Sequence, residues 1–272
     1  MLRLDLSLRM DSAVCAKDPV ATEWQNYFRF CRRVTLADLN EPLLEIIGLQ
    51  VGYPLSGGQQ VRALKRVSLS VHSGESIAIV GRSGSGKSTL ARAILQLLPQ
   101  GATVDGQICF RGQDLSSLSR RALQRIRGAR ISMIFQQPQT ALNPVMRAGR
   151  QVAEVIRAHH RFKTSECHSQ ARSVLRQVFD SNLDRIYEQY PHELSAGECQ
   201  RVCIAQALAC QPELLIADEP TAMLDTEVQA GVLRIFHRLR QASNLSLVFI
   251  THNSALLPGL VDRTVVLEPV GD

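Results

Sequence analysis

From residue 43 onward, short apolar runs alternate with polar breaks in a pattern that predicts alternating strands and helices. Residues 43–49 and 61–71 read as strands joined by a Gly/Ser-rich loop. Ser76–Val80 (SIAIV) is a short apolar strand running straight into a glycine-rich turn. Residues 89–98 carry Leu90, Ile94, Leu97 and Leu98 on a helical stripe that Pro99 should stop. Residues 107–111 read as a further strand. Residues 131–135, 214–217 and 245–250 are apolar runs of strand length, which suit strands of a parallel sheet buried on both faces. Residues 151–190 are helical in pattern and rich in polar side chains, as an inserted helical subdomain at about 137–197 would be. Residues 1–42 read differently. Leu2, Leu4, Leu6 and Leu8 alternate with polar residues, and Trp24, Tyr27, Phe28 and Phe30 follow. This segment fits a partner-docking arm, a poorly ordered extension, or sequence ahead of the true start. Residues 43–272 would then form the main domain.

The central runs end in residues with chemistry. Val80 leads into the glycine turn, Phe135 into Gln136, Ala217 into Asp218 and Glu219, and Ile250 into Thr251 and His252. Ligands of open α/β sheets bind beyond the carboxyl ends of the strands, so one crevice should collect all four. The glycine turn is Gly81, Arg82, Ser83, Gly84, Ser85, Gly86, Lys87, Ser88, Thr89, which matches the phosphate-loop pattern G-x-x-x-x-G-K-[ST]. Its glycines let consecutive N–H groups turn toward phosphate oxygens, and the following helix adds the positive end of its dipole. Lys87 would contact the β- and γ-phosphates, and Ser88 would place its hydroxyl on Mg²⁺. Asp218 suits the carboxylate that holds Mg²⁺ through water, and Glu219 suits the base that activates the attacking water.

Charge and composition narrow the class. The net charge is +6, and residues 120–176 hold twelve Lys or Arg against two acids, Glu154 and Glu166. No aromatic side chains interleave with these cations to stack on bases, so the block suits lipid headgroups, a membrane protein or a solvated face better than nucleic acid. No run approaches the roughly 18–20 apolar residues of a membrane span, and no secretory leader pattern opens the chain. The seven cysteines have no metal or disulfide rhythm, and Cys199, Cys203 and Cys210 suit small packing residues on a helix.

Residues 190–225, YPHELSAGECQRVCIAQALACQPELLIADEPTAMLD, place a Leu-Ser-small-Gly-acid pentapeptide at the head of a helix just before the carboxylate-ended strand. This order closely resembles the signature of ATP-binding-cassette (ABC) ATPases. The resemblance covers about residues 43–267. FQQPQTALNPVM (residues 135–146) and YPHELSAGECQRV (residues 190–202) are similar to the oligopeptide, dipeptide and nickel importer class. It implies an α/β fold: a phosphate-loop (RecA-like) parallel-sheet core, an N-terminal antiparallel β subdomain and an inserted helical subdomain. It implies that Leu194, Ser195, Ala196, Gly197 and Glu198 close over ATP held by a second ABC ATPase subunit, in a homo- or heterodimer. His252 would contact the γ-phosphate and the water, Gln136 would sense Mg²⁺, Asp225 would reach across the dimer seam, and Tyr53 would stack on adenine. The partners implied are two membrane permeases and, indirectly, an extracytoplasmic binding protein, with the chain peripheral on the cytoplasmic face of the bacterial inner membrane.

Two departures and one decoy accompany the resemblance. Ala196 and Glu198 stand where the consensus has Gly and Gln. The first is expected to strain the backbone if its φ is unusual, and the second puts a negative charge near a triphosphate. The chain stops at Asp272, where the family usually continues. Leu55, Ser56, Gly57, Gly58 and Gln59 spell the consensus signature but precede a strand, so they read as a coincidental loop. A hydrolytically weak importer subunit and a non-transport ABC ATPase remain as alternatives.

Overall fold

A computed structural model describes residues 41–55, 59–242 and 244–270. The expectations for residues 1–40, and the middle of the decoy at 56–58, lie outside the described residues. Two sheets organise the chain. The first is antiparallel, in the order β2-β1-β4-β5, built from β1 (Leu44–Pro54), β2 (Gln60–Val71), β4 (Thr103–Phe110) and β5 (Gln113–Asp114). The second is parallel, in the order β6-β7-β8-β3-β9, built from β3 (Ser76–Val80), β6 (Ile131–Ile134), β7 (Leu214–Asp218), β8 (Ser246–Thr251) and β9 (Arg263–Val266).

Successive residues of a strand point to opposite faces, and each of the three inner strands divides its apolar residues accordingly. Ile77 and Ile79, Leu214 and Ile216, Val248 and Ile250 pack toward the antiparallel sheet, with Leu44, Ile46, Ile108 and Phe110. Ala78, Leu215 and Ala217, Leu247 and Phe249 pack on the other side against helices. Burial on both faces is why these runs lack polar alternation.

The helices are α1 (Lys87–Ile94), α2 (Arg120–Ile126), α3 (Pro138–Ala141), α4 (Ala148–His159), α5 (Thr164–Arg176), α6 (Leu183–Glu188), α7 (Ala196–Leu208) and α8 (Thr226–Ala242). Four of them, α3 to α6, follow one another between β6 and α7, in the stretch expected to hold the helical insertion. The thiols on α7 and just beyond its end pack in the interior. Cys203 and Cys210 are buried, and that burial pushes each up to about 12.

Helix α1 ends at Ile94, short of the expected residue 98. Gln96 adopts a left-handed φ of 53°, its N–H returns to Ala93 O, and Leu97 N–H returns to Arg92 O. These two bonds make a Schellman ending. Arg127, 31 residues away, donates to the carbonyls of Leu95 and Gln96 at 2.7 Å each and satisfies the helix end with a cation. Leu97 is therefore exposed, and Pro99 falls beyond the stop.

Glu213 joins the two sheets. It sits just before β7, and its carboxylate bridges Arg111 beyond β4 and Arg130 beside β6, each at 2.5 Å. Burial opposes its charge, but the two guanidiniums outweigh this and hold it below its ordinary value. Glu213→Ala should lower unfolding free energy by about 1–2 kcal/mol near neutral pH. Because the folded value is depressed, the contribution is present above the ordinary carboxylate range and fades as pH falls through the lower folded value. Denaturant titrations of both proteins should therefore converge in acid. A constant difference down to pH 2 would contradict this origin.

Candidate nucleotide site

The loop between β3 and α1 is shaped by its glycines. Gly86 caps α1 with φ 90°, and a Cβ there would lie 2.3 Å from the carbonyl oxygen of Ala63, so the turn admits no side chain. No side chain caps α1, and its first turn carries no acid, which leaves its N–H groups and positive end facing outward. Lys87 is only 7% exposed. Its Nζ donates to the carbonyls of Gly81 at 2.9 Å and Arg82 at 3.0 Å, so the charge is held inside the loop it serves.

This loop forms one wall of a cleft of about 680 Å³, lined by Arg82, Ser83, Gly84, Gly86, Lys87, Ser88 and Thr89. Gln136, Glu219 and His252 line the same cleft, so the ends of β3, β6, β7 and β8 meet there. Ala63 of β2 is also part of the wall, and no motif in the sequence marks it. Gly81 is half-buried and Ser85 lies beneath the surface. The Ser85 hydroxyl is buried without a partner and sits 2.6 Å from where a Cβ on Gly81 would be.

Glu219 adopts φ 49°, with its N–H bonded to Ile250 O at 3.0 Å. Its side chain is 10% exposed, whereas that of His252 is 66% exposed. His252 Nδ1 lies 2.8 Å from both Glu219 oxygens. A carboxylate only accepts, so the proton of this contact sits on the imidazole. Asp218, the preceding residue, is the last of β7. It lines a neighbouring cleft of about 430 Å³ with Arg92, Phe135, Gln136 and Gln137. Burial pushes its carboxyl up, and Ser88, donating to Oδ1 at 3.1 Å, only partly opposes this.

A hard divalent cation fits here. A buried carboxylate whose charge is poorly compensated stands beside a hydroxyl oxygen, with the amide of Gln136 between the two clefts. Among the described residues no three His, Cys, Asp or Glu side chains converge, so such an ion would complete its shell with substrate oxygens and water.

The other sequence-selected residues lie elsewhere. The Tyr53 hydroxyl donates to Thr89 Oγ1 at 3.2 Å, which sets the ring beside α1 but outside the residues lining the cleft. Asp225 caps α8, its Oδ1 accepting Val228 N–H at 2.9 Å. Residues 194–198 open α7. Ser195 is the cap, its Oγ accepting Glu198 N–H at 3.2 Å while Glu198 Oε2 accepts Ser195 N–H at 2.9 Å. This capping box is what the Ser-x-x-Glu spacing encodes. Ser195, Gly197 and Glu198 border a separate cleft of about 260 Å³, with none of the phosphate-loop residues.

The expected strain at Ala196 is absent. It is the first residue of the helix and is not among those with positive φ. Glu198 is also less disruptive than its bare charge suggests, because Arg185 of α6 pairs with it. Burial opposes its charge, but the Ser195 N–H and the Arg185 guanidinium prevail and hold it below the ordinary value. At the described ends of the decoy, Leu55 N–H donates to Gln59 O at 2.7 Å, and Gln59 leads directly into β2.

A parallel sheet with a phosphate loop, a buried Asp-Glu strand end and a facing histidine defines a phosphate-loop nucleotide-binding domain. The family is narrower still: residues 64–222 match the ABC transporter model, and the chain belongs to that family. It is 41% identical over 227 residues to the oligopeptide transport ATP-binding protein OppD of Bacillus subtilis, covering 83% of this chain and 63% of that one. It is 43% identical over 232 residues to the glutathione import ATP-binding protein GsiA of Salmonella choleraesuis, covering 83% of this chain and 37% of that one. The chain thus spans less than two thirds of either relative. The ATP-binding cassette MJ0796, solved as a post-hydrolysis dimer bound to ADP and Pi, superposes with a TM-score of 0.74 at 28% identity. That match covers 83% of this chain and 96% of that one.

Proposed function

We propose that the chain is an ATP-binding and hydrolysing subunit that powers an ABC importer of di- or oligopeptides or nickel-type cargo. It would act at the cytoplasmic face of a bacterial membrane. It would pair with a second ABC ATPase and with two permeases fed by an extracytoplasmic binding protein, without nucleic acid. The observation that carries this is the uncapped, acid-free start of α1, which opens on the same cleft as Glu219, His252 and Gln136. The peptide and glutathione importers named among the relatives support the cargo class.

In this reading the N–H groups after Gly84 and Gly86 surround the phosphates, and Lys87 exchanges its two carbonyl partners for phosphate oxygens. Ser88, Asp218 and Gln136 would hold Mg²⁺, which supplies charge neutralisation on the triphosphate. Glu219 takes the proton of the attacking water while His252 fixes the orientation of that carboxylate. Residues 194–198 border a cleft apart from the phosphate loop, which supports their acting on nucleotide held by the other subunit. Neither departure in that pentapeptide counts against hydrolysis, since Ala196 is unstrained and Glu198 is neutralised.

Affinity purification of the full chain from its own membranes is expected to bring down two polytopic proteins and a second cassette protein. The complex should hydrolyse Mg-ATP, and a transported peptide with its binding protein should stimulate the rate. Recovery of nucleic acid in place of membrane proteins, or a complex without ATPase activity, would refute the proposal.

A further inference from the structure

The ion pair at the head of α7 has a use beyond packing. Glu198 is the third residue of that helix, on the turn whose free N–H groups and positive dipole end would attract a phosphate. A bare carboxylate there would compete for the same field and repel the incoming anion. Arg185 lies 13 residues earlier, on α6, and donates Nη2 to Glu198 Oε1. Its other arm is anchored, Nη1 donating to Gln189 Oε1 at 2.5 Å. With Ser195 N–H on Oε2, both carboxylate oxygens are engaged. The Ser195 hydroxyl accepts from Glu198 N–H, so its own proton is left to donate outward. Asp180, the other carboxylate bordering this cleft, pairs with Arg238 at 3.3 Å. The start of α7 also packs tightly on α8, since a Cβ on Gly197 would lie 2.4 Å from Val228 Cγ1.

We propose that Arg185 is a positioning residue for the subunit seam. It neutralises and immobilises Glu198, so that the cap at Ser195 can receive the phosphate of a nucleotide bound to the opposing cassette. This rests on the reading that residues 194–198 act across the seam. Arg185 touches no reacting atom; it acts through Glu198. The effect is electrostatic, so removing the acid should cancel the loss of the cation.

The test uses the assembled complex with its partner cassette and measures KM for Mg-ATP and kcat in Arg185→Gln, Glu198→Gln, the double variant, Arg185→Lys and Ser195→Ala. Arg185→Gln is expected to raise KM about tenfold at low salt with little change in kcat, and the increase should shrink at high ionic strength. Arg185→Lys should recover much of the loss. The double variant should return to within about twofold of wild type, because no uncompensated charge remains. If Ser195→Ala impairs the complex while Arg185→Gln matches wild type, or if the Arg185→Gln defect persists undiminished in the double variant, the proposal falls and the cross-seam reading stands. If Ser195→Ala and Arg185→Gln both leave KM and kcat unchanged, the cross-seam reading falls with it.

Discussion

Glu219→Gln is expected to bind Mg-ATP as tightly as wild type and to hydrolyse it about 10²–10⁴-fold more slowly, the range lost when a positioned general base is removed. The amide keeps the size and hydrogen-bonding reach of the carboxylate but cannot take a proton from water. The backbone should tolerate the change. The left-handed φ of 49° is held by main-chain bonds, Glu219 N–H to Ile250 O and Ala222 N–H to Glu219 O, each 3.0 Å. The contact with His252 survives through the amide oxygen. Single-turnover hydrolysis by the assembled complex, with nucleotide affinity measured in parallel, separates the two effects. A rate within about threefold of wild type would remove Glu219 from the chemistry, and the base would have to be sought elsewhere.

Lys87→Ala should act on binding instead. The ammonium is nearly buried and has two carbonyl partners in the loop, so it sits in place before a phosphate arrives. Its loss removes a charge-assisted contact worth about 1.5–3 kcal/mol, or roughly 10- to 100-fold in Mg-ATP affinity. The same substitution leaves the carbonyls of Gly81 and Arg82 without that donor. The nucleotide-free protein should therefore also be less stable, by about 1 kcal/mol. Titration with a fluorescent ATP analogue and a denaturant melt of the free protein check both parts. Unchanged affinity would mean that Lys87 braces the loop without touching the ligand.

Particular elements explain how much could be read in advance. The phosphate loop, the inner strands and the capping box were legible because their causes are local. A positive φ at Gly86, an apolar run of strand length and a Ser-x-x-Glu spacing each express themselves within a few residues. The end of α1 was not legible in this way. Pro99 is the visible stop, but Arg127 reaches Leu95 and Gln96 from a distant segment and lets the helix close earlier. The concern over Ala196 also came from comparing letters. Its position as first residue of a helix with ordinary φ removed the concern. Ala63 had no signal at all, since it joins the cleft only because β2 passes beneath Gly86.

The linear order of residues was enough to specify the class of fold, the glycine turn after β3 and the acidic pair at the end of β7, because short-range sterics and hydrophobic periodicity decide those. Folding alone decided which of these groups could act together. His252 meets Glu219 across 33 residues and Ser88 meets Asp218 across 130. Both contacts follow from β3 and β7 flanking β8 in the parallel sheet. It also separated Glu219 from Asp218, since β7 ends at Asp218 and the left-handed φ of 49° at Glu219 turns the chain there, so the two carboxylates line different clefts. The charge carried by Glu198 was plain in the chain, but its compensation by Arg185 exists only because α6 packs beside the head of α7. Electrostatic energy depends on distance through space, not on separation along the backbone.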